Sequence, residues 1–263
     1  MKTFITNSIL CVAVLVTATA LHAGEKDKNS PPKMEAKVVD SGSFGIYVNG
    51  KRVGTETFKI EQRPDFHIAT AEVKVDDGAV KSVQTAEMQI SPTGDLHSYV
   101  WRATFPIKEE SSVEPNNQLL VEHVIPADLK KIDVPHLLPV STVILDDNFF
   151  SQREILLWRY LATCLVKDQG HVCGTSSFAV LVPRQHVSLS AAITIVGPDK
   201  LTLKGSVREF TKVALLVGDP QHMIVINGDR ETPGQWFLWV DADDHYKIVK
   251  MAIPSSNVEI VRD

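Results

Sequence analysis

Residues 43–55 read SFGIYVNGKRVGT. Asn49-Gly50 lies between two runs that alternate large apolar side chains with small or polar ones. Asn-Gly is the strongest short-range hairpin signal, because both residues tolerate the positive φ of a type I′ turn. A two-residue loop predicts the register: Val48 faces Lys51, Ile46 faces Val53, and Gly45 faces Gly54. Phe44, Ile46 and Val53 then share one face, and Tyr47 and Arg52 the other. Two opposed glycines leave a bare patch, which permits strong coiling or close approach of another backbone. Phe58 and Ile60 have the opposite parity to Val53, so either a bulge near 55–57 shifts the register or the strand is buried on both faces. Both alternatives belong to barrels and deeply curved sheets.

Strand-like runs continue on either side of a change in pattern. Before it lie 67–75, 80–90, 97–105 and 119–125, separated by turn signals at Asp76-Asp77-Gly78 and at 91–95 (SPTGD). After it lie 177–183, 186–196, 201–217, 223–227, 235–240, 246–253 and 258–261, with Asn227-Gly228 and residues 241–244 as turns. Between the two sets, a proline-broken extended stretch (126–139) leads into the one convincing amphipathic helix, over 148–161. Asp146-Asp147 are its candidate cap. Phe150, Glu154, Leu157 and Leu161 fall on one line, with Phe149, Leu156 and Tyr160 beside it. Many short strands around a single helix predict a mainly β fold: an antiparallel half-barrel or spiral β-barrel, with the helix plugging or closing the sheet.

The start of the chain has the layout of a secretory signal peptide: Lys2, an apolar run at 9–16 (ILCVAVLV), and small residues before Ala23. The run is shorter than the roughly 20 residues a spanning helix needs. Bulky Leu10 before Cys11, inside the run, argues against a lipoprotein leader. The expected organisation is a signal peptide at 1–23, a charged, proline-containing tether at 24–37, and one β-rich domain at 38–263. Cleavage would remove Lys2 alone and move the formal charge from −5 to about −6. A mildly acidic domain is a poor partner for nucleic acid or an anionic membrane surface. No later stretch is apolar enough to span a membrane. The location expected is the bacterial envelope, periplasmic or secreted.

Few residues carry chemistry. Cys164 and Cys173, the cysteines beyond the leader, read as a disulfide in an oxidising compartment; a redox pair would usually be C-x-x-C, and zinc with His171 would need further ligands. Residues 241–245 (DADDH) invite a calcium reading, but an EF-hand loop needs glycine and glutamate where Tyr246 and Ala252 stand. They read as a solvated hairpin tip. No H-E-x-x-H, G-x-S-x-G, nucleotide loop or dinucleotide fingerprint occurs, so no metal or cofactor is expected. His123 and His136 read as ordinary surface or cap histidines, with Glu122 beside them. Trp158, Trp236 and Trp239 are the candidate lining of an apolar groove, if the sheet curves around one; core packing is the alternative for each ring.

Three segments together carry a resemblance. They are GIYVNGKRVGTETFKI at the front, LDDNFFSQREILLWRYL in the middle and FLWVDADDHYKIVKMAIPSSNVEIVR at the close. Tyr47, Gly50, Val53, Gly54 and Glu56, with Trp239, Asp241, Val249, Lys250, Pro254, Val258 and Val261, resemble uncharacterised secreted bacterial proteins of the domain-of-unknown-function class. Such families are similar to periplasmic curved sheets and spiral barrels, including lipoprotein carriers of the LolA/LolB type. The resemblance implies binding of an apolar ligand or support of the envelope, and its motifs bring no catalytic residue. The expectation is an exported, non-enzymatic protein binding a lipid or other apolar ligand. The alternatives are a structural or protein-interaction module of the periplasm, and a hydrolase with an unrecognised site.

Overall fold

The computed structural model describes residues 36–127, 130–146, 148–167, 173–218, 225–226, 229–230 and 234–263. The expected signal peptide, nearly all of the tether, the turn at Asn227-Gly228 and the capping residue Asp147 lie outside them. The strands are β1 Lys37–Val48, β2 Lys51–Gln62, β3 His67–Asp76, β4 Lys81–Ile90, β5 Leu96–Phe105, β6 Glu109–Asn116, β7 Leu119–Ile125, β8 Ile132–His136 and β9 Val143–Ile144. Helix α1 covers Ser151–Lys167. Then follow β10 Ser176–Val182, β11 Val187–Leu203, β12 Ser206–Val217, β13 Val225–Ile226, β14 Asp229–Arg230, β15 Gly234–Asp241, β16 Lys247–Ile253 and β17 Val258–Arg262. Fifteen strands form one sheet, in the order β8-β7-β6-β5-β4-β3-β2-β1-β17-β16-β15-β12-β11-β10-β9. All its pairings are antiparallel except that of β9 with β10. The fold is the expected one: mainly β, an open curved sheet with one helix.

The opening hairpin corrects the expected register. Val48 pairs with Lys51 and Tyr47 with Arg52, but Ile46 pairs with Gly54 and Gly45 with Thr55. Val53 is the extra residue of a bulge, two positions earlier than the parity of Phe58 predicted. The shift brings Phe44, Glu56, Phe58 and Ile60 to the buried face. A Cβ on Gly54 would lie 2.8 Å from the carbonyl oxygen of Lys74. Glycine there serves the close approach of β3, one of the two roles foreseen for the bare patch.

Other strands were hidden by their composition. β6 (EESSVEPN) is largely polar, yet Ser111 and Val113 are buried while Glu114 is exposed. β8 carries Pro135 and is tolerated as the terminal strand of the sheet, where a missing N–H costs no ladder bond. The predicted strand 201–217 is in fact broken by a second two-residue hairpin at Lys204-Gly205, with φ of 49° and 81°.

The helix lies against the concave side and runs Ser151–Lys167, later and longer than predicted. Phe149, Phe150, Leu156, Leu157, Tyr160 and Leu161 join a single core with Phe44, Tyr99, Leu215 and Leu238. Asp146 is not its cap. It accepts from the Tyr99 hydroxyl at 2.7 Å, and its backbone N–H donates to Gln152 Oε1 at 2.6 Å. The cap comes from the sheet. The carboxylate of Glu56 on β2 accepts from the N–H groups of Phe150 and Ser151 and from the Ser151 hydroxyl, at 2.8, 3.2 and 2.6 Å. Those N–H groups have no partner within the helix, and the positive end of the helix dipole faces the carboxylate.

Candidate ligand-binding groove

Helix α1 is buried on nearly all sides. Ser151, Gln152, Arg153, Glu154, Leu156, Leu157, Tyr160, Leu161 and Cys164 are inside. The exception is one stripe: Ile155, Trp158, Arg159, Ala162 and Thr163, which are partly or fully exposed. Their spacing of three and four residues places them on a single face. Three of the five are apolar side chains that the described residues leave partly or fully exposed on an otherwise buried helix.

The stripe forms one wall of a groove of about 500 Å³. The opposite wall is Met88 and Ile90 of β4, Leu96 of β5 and the turn 91–94. Thr142, Val143 and Ile144 complete the lining. A smaller space of about 160 Å³ continues from it toward Val39, Ile60 and Ile68, and shares His67, Met88, Ile90, Ile155 and Trp158 with it. A volume of about 500 Å³ falls within the roughly 300–1,000 Å³ typical of small-molecule sites.

Two polar atoms of this lining are buried and have no hydrogen-bond partner: Nδ1 of His67 and Oγ1 of Thr142. Leaving such an atom unpaired costs about 1–3 kcal/mol, so each marks a place where an occupant gains. Among the described residues, Arg159 and His67 are the ionisable side chains of the lining, with no carboxylate beside them. Burial lowers the pKa of both. Arg159 donates through Nη1 to the carbonyl of Gly94 at 3.1 Å and lies over the Phe178 ring. Trp158 donates from Nε1 to the carbonyl of Tyr246 at 3.4 Å, which fixes the ring against the sheet.

The three tryptophans expected to share a groove are dispersed. Trp158 lines it. Trp236 packs in the core, 6.2 Å from the Phe150 ring and with the Arg153 guanidinium 4.1 Å from its centroid. Trp239 lies in a separate cluster with Phe210 and Ala252, flanked by Lys212 and Lys250, and donates to Asp199 at 3.0 Å. Strand alternation explains the split, since Trp236 and Leu238 face the core while Phe237 and Trp239 face away. Cys164 and Cys173 are joined by a disulfide, with Cα atoms 5.5 Å apart. Tyr160 donates to the carbonyls of Cys173 and Gly174 beside it.

Sequence reading missed two buried polar clusters. Arg262 on β17 donates to Asp40 on β1 at 2.9 Å, to Glu154 on α1 at 2.6 Å and, through Nε, to the carbonyl of Ile248 at 2.7 Å. Burial raises the Glu154 pKa well above the carboxylate range, against the pull of Arg262. Burial also raises that of Asp40, but hydrogen bonds from Glu154 and Arg262, with the charges of Arg262 and Lys247, outweigh it and hold Asp40 low. One guanidinium thus ties β1 and β17 to the helix. In the second cluster Glu122 is fully buried. It meets His136 Nε2 at 3.2 Å, His186 Nδ1 at 3.0 Å and the Ser111 hydroxyl at 2.8 Å. Ser188 Oγ lies 3.4 Å from His136 Nδ1. His136 is therefore a buried residue and not the surface histidine expected, whereas His123 pairs with Asp133 at the surface. A bend that brings β11 onto β7 and β8, strands distant in the sheet order, gives no local signal. Residues 242–246 form the turn between β15 and β16, and Asp241 is held by Arg208 at 2.8 Å.

No protein-family model matches the chain, and no curated protein matches it. Among solved structures, it is similar to the crystal structure of a beta-barrel-like protein of domain of unknown function DUF1849 from Brucella abortus. The TM-score is 0.51 at 7% sequence identity, covering 85% of this chain and 94% of the other. At that identity the likeness is one of fold: a β-barrel-like architecture of unknown function, without specific support for the LolA/LolB type. Among the described residues, no helix is long and apolar enough to cross a membrane.

Proposed function

We propose that this protein is an exported envelope protein that binds an apolar ligand, a lipid in the first instance, in the groove between α1 and the concave sheet. The observation that carries the reading is the uncovered stripe Ile155, Trp158, Ala162 opposite Met88, Ile90 and Leu96 across about 500 Å³ of space. A helix held on all other sides has no structural need for that stripe to stay open, and leaving it in water forfeits the burial of Trp158 and Ile155. The leader-like start of the chain and the β-barrel-like fold agree with such a role. The test is mass spectrometry of organic extracts from protein purified without detergent, with uptake of a neutral hydrophobic dye by the delipidated form. Stoichiometric copurified lipid or saturable uptake is expected. Neither extractable lipid nor uptake would overturn the reading.

The order Ser188–His136–Glu122 favours a second reading, acyl-transfer chemistry. A hydroxyl, an imidazole and a buried carboxylate in hydrogen-bond succession are the parts of a nucleophile with its base and orienting group. Fluorophosphonate labelling that maps to Ser188 and is lost in Ser188→Ala would support it. Absence of labelling would leave the cluster as a clasp between β7, β8 and β11.

A further inference from the structure

We infer that the groove selects a single-chain amphiphile with an anionic head, and that Arg159 is the residue that receives the head group. The inference rests on the groove being a ligand site and goes on to name the ligand's chemistry. Four observations carry it. The whole chain is acidic, at −5, yet among the described residues the groove lining holds an arginine, a histidine and no carboxylate. Among the described residues Arg159 has no ion pair; its one hydrogen bond goes to a neutral carbonyl, the oxygen of Gly94. The charge of Asp95 favours its ionised form, but the two make no ion pair among the described residues. A guanidinium offers five donors, and one hydrogen bond leaves most of them for an occupant of the groove that Arg159 lines.

The remaining polar atoms agree in kind. Thr142, a residue 2% exposed, and His67 each bury a side-chain atom in the lining, Oγ1 and Nδ1, without partners among the described residues. An oxygen-rich head group or its bound water would satisfy the first, and a polar linkage along the chain the second. The apolar remainder is elongated, running from the Arg159 end past Trp158, Ile155 and Met88 into the smaller space at Ile60 and Ile68. A methylene in a packed chain takes up roughly the ~30 Å³ of a liquid water. A groove of about 500 Å³ thus suits one acyl chain better than two.

The test is competition against a neutral fluorescent dye bound to the delipidated full-length mature protein, with hexadecanoate and its methyl ester as probes. A charge-assisted hydrogen bond contributes about 1.5–3 kcal/mol, so hexadecanoate should displace the dye about ten- to hundredfold more effectively than the ester. Arg159→Gln should reduce that preference to near unity by weakening hexadecanoate far more than the ester, while Arg159→Lys should keep most of it. The wild-type comparison stands even where Arg159→Gln fails to fold. Equal displacement by acid and ester, or a preference that survives in Arg159→Gln, overturns the inference but leaves the groove as an apolar site. Displacement by neither probe also overturns the inference, and failure of the dye itself to bind overturns the groove reading.

Discussion

Glu56 gives the sharpest energetic prediction. Its carboxyl is fully buried, and burial raises its pKa from 4.5 to about 7, although the hydroxyl and N–H of Ser151, the N–H of Phe150 and the charge of Arg153 all pull it back. In the unfolded chain it returns to its ordinary value. Between these two values the folded protein holds a proton that the unfolded chain releases, so stability falls as pH rises through the window and levels off above about 7. A shift of about 2.5 units at 1.36 kcal/mol each amounts to roughly 3 kcal/mol less stability from this group at pH 8 than at pH 4.5. Glu56→Gln has the same shape without the charge and should flatten the profile by about that amount. Glu56→Ala should cost about 2–4 kcal/mol at pH 6, because it orphans the N–H groups that start α1 and leaves a void under the helix. The assay is urea unfolding followed by circular dichroism between pH 4.5 and 8, with wild type and Glu56→Gln compared at each pH. All other ionisable groups are common to both proteins, so the difference isolates Glu56. Identical slopes in the two proteins would refute the assignment of the cap.

Further outcomes follow from other contacts. Ala162→Phe places a ring in the groove from an exposed helix position. It should abolish dye uptake while costing only about 0.5 kcal/mol in helix propensity, measured by titration and melting together. Removing the disulfide with the double substitution Cys164→Ala, Cys173→Ala should lower stability by roughly 2–3 kcal/mol, the loop-closure value for a bridge spanning so few residues. His136→Ala should cost about 3 kcal/mol, since it strips a buried partner from buried Glu122, whereas His186→Ala, whose side chain is 42% exposed, should cost under about 1 kcal/mol. Trp239→Ala should destabilise the protein, yet leave dye affinity unchanged, because that ring lies outside the groove.

Much of the fold was legible where local chemistry decides it. Asn49-Gly50 specifies its hairpin, and the parity of Phe58 and Ile60 against Val53 left open a bulge near 55–57 or a strand buried on both faces, of which the structure has a bulge, at Val53. The helix was legible from Phe150, Leu157 and Leu161, because its buried lines follow its own period. Its cap was not, since Glu56 lies 94 residues before Phe150 and a carboxylate on a strand resembles any solvated charge. β6 was missed because its buried positions include a serine that pairs with Glu122. The candidate site was half legible. Trp158 stands out as a large ring, but Ile155 and Ala162 look like any helical residues until the engulfing sheet shows that theirs is the side left open. The same geometry separates Trp158 from Trp236 and Trp239, which sequence alone could only group as rings.

The central claim is that the α1 stripe and β4 enclose a ligand. Photocrosslinking tests it most directly, using a hexadecanoate that carries a diazirine near its methyl end, with the adducts mapped by peptide mass spectrometry. Adducts confined to the groove lining, on Ile60, Ile68, Met88 or Ile155, with loss of labelling in Ala162→Phe, are the predicted result. Adducts spread over the outer surface or centred on Trp239 and Phe237, unchanged by Ala162→Phe, would contradict it.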